Sequence, residues 1–426
     1  MNAAFWSGIL MLALMRTPIF IVIAAAALYG FYRQEIHLSV VAVEIYRITE
    51  TPILLALPLF SFAGYLLAAT GASQRMLRLN EALLGWLPAS LPIVAFISCA
   101  LFTALTGASG VTIVALGALL YPALQQSGYS QKFSLGLVTA SGSLGLLLVP
   151  SMPLILYGVV VQQLNLPIQL NLTDLFLAGL LPALLMVLLL SLWSLWKSRQ
   201  HPQAIKPFSL ARLRDALWEA RGELPLPFLL LGGVYSGLIS ISEAAAVTAL
   251  YVLIVELLVY RELPLRQIPA VLIKSSILVG EIILILALAL ALSGLLVDAE
   301  VPTRLFELIR DHVDSRFQFL LLLNLLLLLL GAFLDIFSAI VIMVPLLLPV
   351  ALAYGVDPIH LGIIFLANMQ LGYFTPPVGM NLFIASARFN QPITTLYRAT
   401  WPFFVVLLIA VLLITYLPVL SLGLLG

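Results

Sequence analysis

The chain has 426 residues, of which 62% are hydrophobic and 9% charged, with a mean hydropathy of +1.14 and a formal net charge of +1. A soluble domain covers its surface with charged residues, and a β-barrel shows short alternating segments; this composition and its long apolar runs exclude both, leaving a polytopic α-helical membrane protein. The single cysteine, Cys99, rules out an intramolecular disulfide, and the scattered histidines His37, His201, His312 and His360 offer no metal cluster.

In chain order the apolar segments are 3–15, 18–33, 51–70, 90–126, 133–161, 174–196, 224–241, 243–260, 270–298, 317–354, 358–388 and 400–420. The first lacks a basic n-region and a small-residue cleavage site, so it is not a removed signal peptide. It would be only about 20 Å long as a helix. Thr17-Pro18 reads as a helix start, which makes Arg16 a turn residue. Two pieces are amphipathic, 73–88 (SQRMLRLNEALLGWLP) and 302–316 (PTRLFELIRDHVDSR). Their apolar positions recur at helical spacing with arginines between, as in helices lying in the membrane interface; solvated connectors are the plainer alternative.

The segments 90–126 and 317–354 are too long for one span at ~20 residues. Each is interrupted by a short break, Thr106-Gly107-Ala108-Ser109-Gly110 in one and Gly331-Ala332-Phe333-Leu334-Asp335 in the other. Each reads as a helical hairpin that enters and leaves by one face, with a pair of full spans or one long tilted helix as the alternatives. An internal repeat favours hairpins. The same 227 positions separate Pro122 from Pro349, Gly128 from Gly355, Ala140 from Ala367, Gly145 from Gly372 and Pro150 from Pro377. The expected organisation is a first repeat over 1–197 (hairpin 90–126, broken helix 133–161), a basic linker over 198–223, and a second repeat over 224–426 (hairpin 317–354, broken helix 358–388).

Charge orients these halves. The linker region carries Lys197, Arg199, Lys206, Arg212, Arg214 and Arg221 and belongs in the cytoplasm; the loop 162–173 has no Lys or Arg and belongs outside. Five crossings per half then give the halves opposite topology, with the first hairpin opening to the cytoplasm, the second to the exterior, and both termini periplasmic.

Inverted repeats with discontinuous helices are the build of secondary transporters, whose sites lie near the bilayer midplane. Thr375-Pro376-Pro377-Val378-Gly379 and Leu148-Val149-Pro150-Ser151-Met152-Pro153 each remove backbone donors inside an apolar run. Such breaks are tolerated at membrane depth where they are buried in protein or line a wet cavity. Freed carbonyls and Ser or Thr hydroxyls suit Na⁺, and helix N-termini suit a carboxylate; a packing kink is the bland alternative. Asp335, deep in an apolar run, is either a sodium ligand or the cap of the second hairpin arm, with the sodium role favoured. Lys274 and Glu281 stand two turns apart on one helix face and either pair with each other, reach another subunit, or serve structure alone. Ser240-Ile-Ser-Glu243 reads as a capping box. No H-E-x-x-H, G-x-G-x-x-G or Walker loop is present, which argues against an enzyme, and paired breaks argue against a continuous pore.

Six stretches carry a resemblance: LPLFSFAGYLLAATGAS (57–73), TGASGVTIVALGALLYPAL (106–124), GSLGLLLVPSMPLILYG (142–158), GLISISEAAAV (237–247), GAFLDIFSAIVIMVPLLLP (331–349) and GYFTPPVGMNLFIAS (372–386). Together they resemble the large membrane subunit of tripartite ATP-independent periplasmic (TRAP) transporters over nearly the whole chain. The first break departs from the family, reading Val-Pro-Ser where Pro-Pro-Ser is common, and the first tip has Gly110 where a small hydroxyl or Ala is common. The resemblance implies an elevator-type fold of the ion-transporter-superfamily kind and Na⁺-coupled import of an organic acid such as a dicarboxylate or sialic acid. No cofactor is implied beyond Na⁺ as coupling ion. Implied partners are a separate small four-helix membrane subunit, a soluble periplasmic substrate-binding protein and the lipid bilayer, with no nucleic acid; the location is the bacterial inner membrane. Carried onto this chain, the implied sodium residues are Thr106, Gly107, Ser109, Gly145, Pro150 and Ser151 in the first half. In the second half they are Gly331, Asp335, Thr375, Pro376 and Gly379. Ser109 and Asn381 would contact substrate between the tips. A stand-alone Na⁺/carboxylate symporter of the divalent-anion type shares this plan and is the alternative.

Overall fold

In a computed structural model the chain is helical, with no strand among the described residues. The structure describes residues 17, 19–37, 39, 40, 42, 43, 46, 51–164, 170–198, 207–310 and 312–425. The apolar stretch 3–15, Arg16, Pro18, the middle of the loop 162–173 and the linker residues 199–206 lie outside the described residues.

The chain begins with α1 (Ile19–Arg33), α2 (Ala56–Ala69), and the short amphipathic arm α3 (Ala72–Leu84). A first hairpin follows, α4 (Ser90–Thr106) and α5 (Ser109–Gln126). Next comes a broken helix, α6 (Gln131–Ser141), a 3₁₀ turn at Leu144–Leu147 and α7 (Met152–Gln163), bent by 42°. Then α8 (Leu172–Ala178) runs into α9 (Leu180–Ser198), and α10 (Leu210–Glu219) ends the linker. The second part repeats the order: α11 (Pro225–Tyr235), α12 (Ile241–Ile254), the long α13 (Ile268–Asp298) and its arm α14 (Val301–Arg310). A hairpin of α15 (Arg316–Phe333) and α16 (Ile336–Ala353) follows, then a broken helix of α17 (Pro358–Gly372) and α18 (Met380–Phe389), and finally α19 (Ile393–Tyr416) and α20 (Val419–Leu422). Seven of the described helices are long and apolar enough to cross a bilayer, or eight with the bent pair taken as one span.

Two expected boundaries move. The second amphipathic piece ends at Arg310 and not at 316, because Ser315 caps the next helix by accepting a hydrogen bond from the Gln318 N–H. The stretch 224–241 yields a helix of only 11 residues, about 16 Å, before the chain turns at Gly237 with φ +70°. The capping box is formed as the sequence indicates: Ser240 N–H donates to Glu243 Oε2 at 2.7 Å and Glu243 N–H to Ser240 Oγ at 3.3 Å.

The 227-residue offset reappears in backbone geometry. α5 and α16 begin and end at positions related by it, as do the starts of α6 and α17. Both hairpins leave through the same C-cap. Tyr129 N–H reaches Leu124 O and Gly128 N–H reaches Gln125 O; Val356 repeats this on Ala351 and Gly355 on Leu352. These are Schellman motifs, and they require the positive φ of Gly128 (+85°) and Gly355 (+69°). The two cis peptide bonds, Val149–Pro150 and Pro376–Pro377, also stand 227 apart. Ser143 Oγ donates to the carbonyl of Gln370, its own counterpart at that offset, at 3.2 Å.

The broken helices form the centre. Every residue of α7 from Met152 to Val161 and of α17 from His360 to Gly372 is buried. Around them, α2 packs on α12 and α13, and α13 on α1. One polar cluster ties the arm to this periphery. Arg75 of α3 is 5% exposed. Its Nε donates to Glu223 Oε1 at 2.6 Å, Nη1 to both oxygens of Glu262 at 2.8 Å, and Nη2 to Glu256 Oε1 at 2.8 Å. The guanidinium also lies 3.7 Å from the Tyr260 ring centre. Burial works against its charge, but the hydrogen bonds it donates to Glu223 and Glu262, with the attraction of Glu223 and Glu256, outweigh that and hold its pKa above the ordinary arginine value. Only a planar, five-donor fork reaches three carboxylates at once.

Replacing Arg75 with Ala leaves Glu223 and Glu256 buried without a cation, a loss of about 3–5 kcal/mol. The expected outcome is a clear fall in the thermal midpoint of the detergent-purified chain, only partly relieved in Arg75→Lys. A midpoint within a degree of the unaltered protein would show that the cluster does not hold the arm.

Candidate functional site

Each hairpin tip meets the break of its own half through glycine. A Cβ on Gly145 would stand 2.1 Å from Ala100 O and 2.5 Å from Ala104 N, both on α4. A Cβ on Gly372 would stand 2.4 Å from the Cα of Gly331 on α15. Gly145, Gly331 and Gly372 therefore let backbone lie on backbone, which no other residue type permits there. Gly379, at φ +33°, sends its N–H to Ala332 O at 3.0 Å, so the second break is hydrogen-bonded to the second hairpin.

The two tips are closed by different chemistry. In the first, Gly107 adopts φ +67°, donates to Thr103 O at 2.7 Å and packs against the Met152 side chain across the break. In the second, Asp335 is the N-cap of α16. Its Oδ1 accepts from Phe337 N–H at 3.0 Å and Ser338 N–H at 2.9 Å, and its Oδ2 accepts from Ser338 Oγ. The capping alternative for Asp335 is thus realised.

Three of the predicted hydroxyls share one feature. Thr106 Oγ1 donates to Phe102 O at 2.9 Å, Thr375 Oγ1 to Leu371 O at 2.8 Å, and Ser151 Oγ to Leu146 O. Each spends its proton on a backbone carbonyl and keeps oxygen lone pairs for another partner. Pro150 and Ser151 are buried, whereas Pro376, Pro377 and Val378 are exposed, so the two breaks are not in equivalent surroundings.

Ser109 and Asn381, placed by the sequence between the tips, touch one another. Ser109 Oγ donates to Asn381 Oδ1 at 2.8 Å, and Asn381 Nδ2 donates to Thr139 O at 3.4 Å. Both residues are buried, and the bond joins the first hairpin to the second broken helix. Beside it opens a cavity of about 680 Å³. One wall is the hairpin tip, with Gly107, Ser109 and Gly110; the opposite wall is α2 and α13, with Tyr65 and Lys274.

Sequence reading missed a second pair of hydroxyls at the first tip. Thr103 Oγ1 and Thr112 Oγ1 are 2.7 Å apart, and Thr103 also donates to Gly142 O at 2.9 Å. They lie one helical turn before Thr106 and one after Ser109, a spacing that marks them as facing the same seam. Tyr373 was also missed; its hydroxyl accepts from Ile336 N–H at 3.1 Å, beside the Asp335 cap. Lys274 and Glu281 form no ion pair with each other.

Gly372→Ala is expected to push the broken helix off α15 and cost about 1–3 kcal/mol of thermal stability through overpacking. Gly280→Ala, within α13 and with open space around it, is the matched control and should be neutral or stabilising by up to about 1 kcal/mol. Equal midpoints for the two variants would refute the close approach.

Known proteins resemble this chain over most of its length. Residues 7–420 match the family model of the tripartite ATP-independent periplasmic transporter, DctM component. The C4-dicarboxylate TRAP transporter large permease protein DctM of Rhodobacter capsulatus is 34% identical, with 97% of each chain covered. The sialic acid TRAP transporter large permease protein SiaM of Vibrio cholerae is 32% identical over 86% of this chain and 84% of that one. The isethionate TRAP transporter permease protein DctMQ of Oleidesulfovibrio alaskensis is 35% identical over 86% of this chain, which spans 57% of that longer protein. Among solved structures, the Alcanivorax borkumensis YdaH transporter shares the fold with a TM-score of 0.61 at 14% identity, covering 88% of this chain and 85% of that one.

Proposed function

The chain belongs to the DctM component family of tripartite ATP-independent periplasmic transporters, and we propose that it imports an organic acid by Na⁺-coupled elevator movement. It is the large, multi-pass membrane subunit of such a system and not an enzyme. In this reading a small four-helix membrane subunit completes the scaffold. A periplasmic binding protein delivers the acid, and the chain sits in the inner membrane with both termini outside. The halves are inverted repeats, 1–197 and 224–426, joined by the basic linker.

The observation that carries the reading is the Ser109–Asn381 hydrogen bond, which brings the tip of one half to the broken helix of the other beside a cavity. A substrate that replaces this bond would be gripped by both halves at once. Sodium fits the surroundings. It takes hard oxygen ligands, and Thr106, Ser151 and Thr375 hold their oxygens with lone pairs free at the two breaks. The remaining proposed sodium positions, Gly107, Ser109, Gly145 and Pro150 in one half and Gly331, Asp335, Pro376 and Gly379 in the other, supply backbone oxygens, close approach or charge. The hairpins and broken helices would move together, since each pair is welded by a glycine contact, against α2, α3 and α11–α14 as the fixed part.

Asp335→Asn separates structure from coupling. Asparagine caps helices about as well as aspartate, so the fold should hold, while the negative charge is lost. In proteoliposomes containing the chain, its small subunit and the binding protein, uptake of labelled succinate, isethionate or N-acetylneuraminate should require an inward Na⁺ gradient. The variant should need at least about tenfold more Na⁺ for half-maximal uptake, an effect of about 1.4 kcal/mol. Uptake indifferent to Na⁺ would overturn the coupling, and uptake without any binding protein would move the chain to the stand-alone symporter class.

A further inference from the structure

The cavity beside the Ser109–Asn381 bond holds one charged lining residue among those described, Lys274. Six residues into α13, it lies about 9 Å along that helix from its start. The rest of the lining is apolar or neutral, including Tyr65, Ala69, Leu146 and Phe337. No carboxylate meets the ammonium among the described residues. Glu281, two turns on along the same helix, is not in ion-pair contact with it. An unpaired cation within an apolar span is costly and is kept for a reason.

We propose that Lys274 is the counter-charge that the fixed wall of this cavity offers to the carboxylate of the substrate, as the first hairpin tip presents it toward the cytoplasmic end of α13. The proposal rests on the organic-acid reading above and adds a residue outside the hairpins and breaks to the site. The placement suits the chemistry. Ser109 and Asn381 are neutral and already satisfy one another, so the lining contains no other group to balance an anion. A carboxylate leaving the tip passes through a cavity of about 680 Å³ in which the sole positive charge among the described lining residues stands on the opposite wall. Lysine rather than arginine is apt, because a compact ammonium on a flexible stem follows a ligand without fixing its geometry. Focusing by the low-dielectric walls extends its reach.

The test uses the full chain in detergent and reads the cavity directly. Cys99 is the only cysteine and is fully buried, so a cysteine placed at Ala115, on the cavity wall, reports alone. Its rates of reaction with an anionic and a cationic methanethiosulfonate are compared with Lys274 present and in Lys274→Gln. The anionic-to-cationic rate ratio should fall several-fold in Lys274→Gln and be retained in Lys274→Arg. In a second readout, succinate, isethionate or N-acetylneuraminate protects the Ala115→Cys thiol, and the half-protecting concentration should rise about tenfold in Lys274→Gln. An unchanged rate ratio would overturn the proposal and leave Lys274 as a lysine that merely snorkels to the interface. Were the ratio to fall while none of the three acids protects, the positive wall would stand and the organic-acid reading would fail. Protection that is equal with and without Lys274 would overturn its role toward substrate.

Discussion

The architecture depends on one constraint: a backbone interrupted inside an apolar core must find every partner within the protein. Here the solution is close approach. Gly145 lies on the Ala100–Ala104 backbone, and Gly372 lies on Gly331. With no side chain between them, the break and the hairpin arm become one rigid unit. Gly379 then reaches Ala332 O, and Asn381 N–H reaches Tyr373 O, so the second break is stitched to its hairpin and to itself. Remove these contacts and the freed carbonyls and amides would face hydrocarbon, at several kcal/mol each. On the sodium reading, the residues that would bind ions are the same few that let the breaks fold.

Much of this was legible in the sequence, because it is written in residues whose backbone behaviour is local. Gly, Pro and Ser or Thr mark turns, breaks and caps wherever they occur. The hairpin tips at Gly107 and Asp335, the breaks at Pro150 and Pro377, and the capping box at Ser240 all follow from such rules. The constant offset between Gly128 and Gly355 is legible for the same reason: both close a Schellman motif that needs positive φ. What was not legible is pairing between distant positions. Arg75 reads as one more basic residue on a cytoplasmic arm, yet it is buried among Glu223, Glu256 and Glu262, roughly 150 to 190 residues away. Thr103 and Thr112 look like ordinary polar residues of a spanning helix until the tip folds them together. That Asp335 caps α16 also turned on where Ser338 would sit, and that is a matter of side-chain geometry.

The two sites obey one offset but not one chemistry. The first tip turns on a glycine and packs against Met152, in a break that is buried. The second turns on an aspartate cap, and its prolines 376 and 377 are exposed. A carboxylate is thus built into only one of the two tips. An ion site in the first half would have to rely on neutral oxygens, and Thr103, Thr106, Thr112 and Ser151 concentrate hydroxyls there. Sequence divergence between the halves, including Val149 where the second break has Pro376, falls on the residues that would distinguish two ion sites.

The contact between Ser143 and Gln370 constrains how the halves are arranged. These positions are separated by the repeat offset, and they meet at 3.2 Å. If a two-fold axis relates the halves, a residue can touch its own counterpart only close to that axis. The axis then passes through the seam between α6 and α17, at the level of the 3₁₀ turn. Ser109 of α5 and Asn381 of α18 join the halves near this seam, Asn381 also donating to Thr139 O of α6, so a ligand between them would sit close to it. On the elevator reading the tips and breaks of both halves would carry such a ligand together past α2 and α13, with little change in its immediate contacts. Asp335 is then the charge carried at the moving tips, and Lys274, on the wall formed by α2 and α13, is the charge that the proposal has them pass.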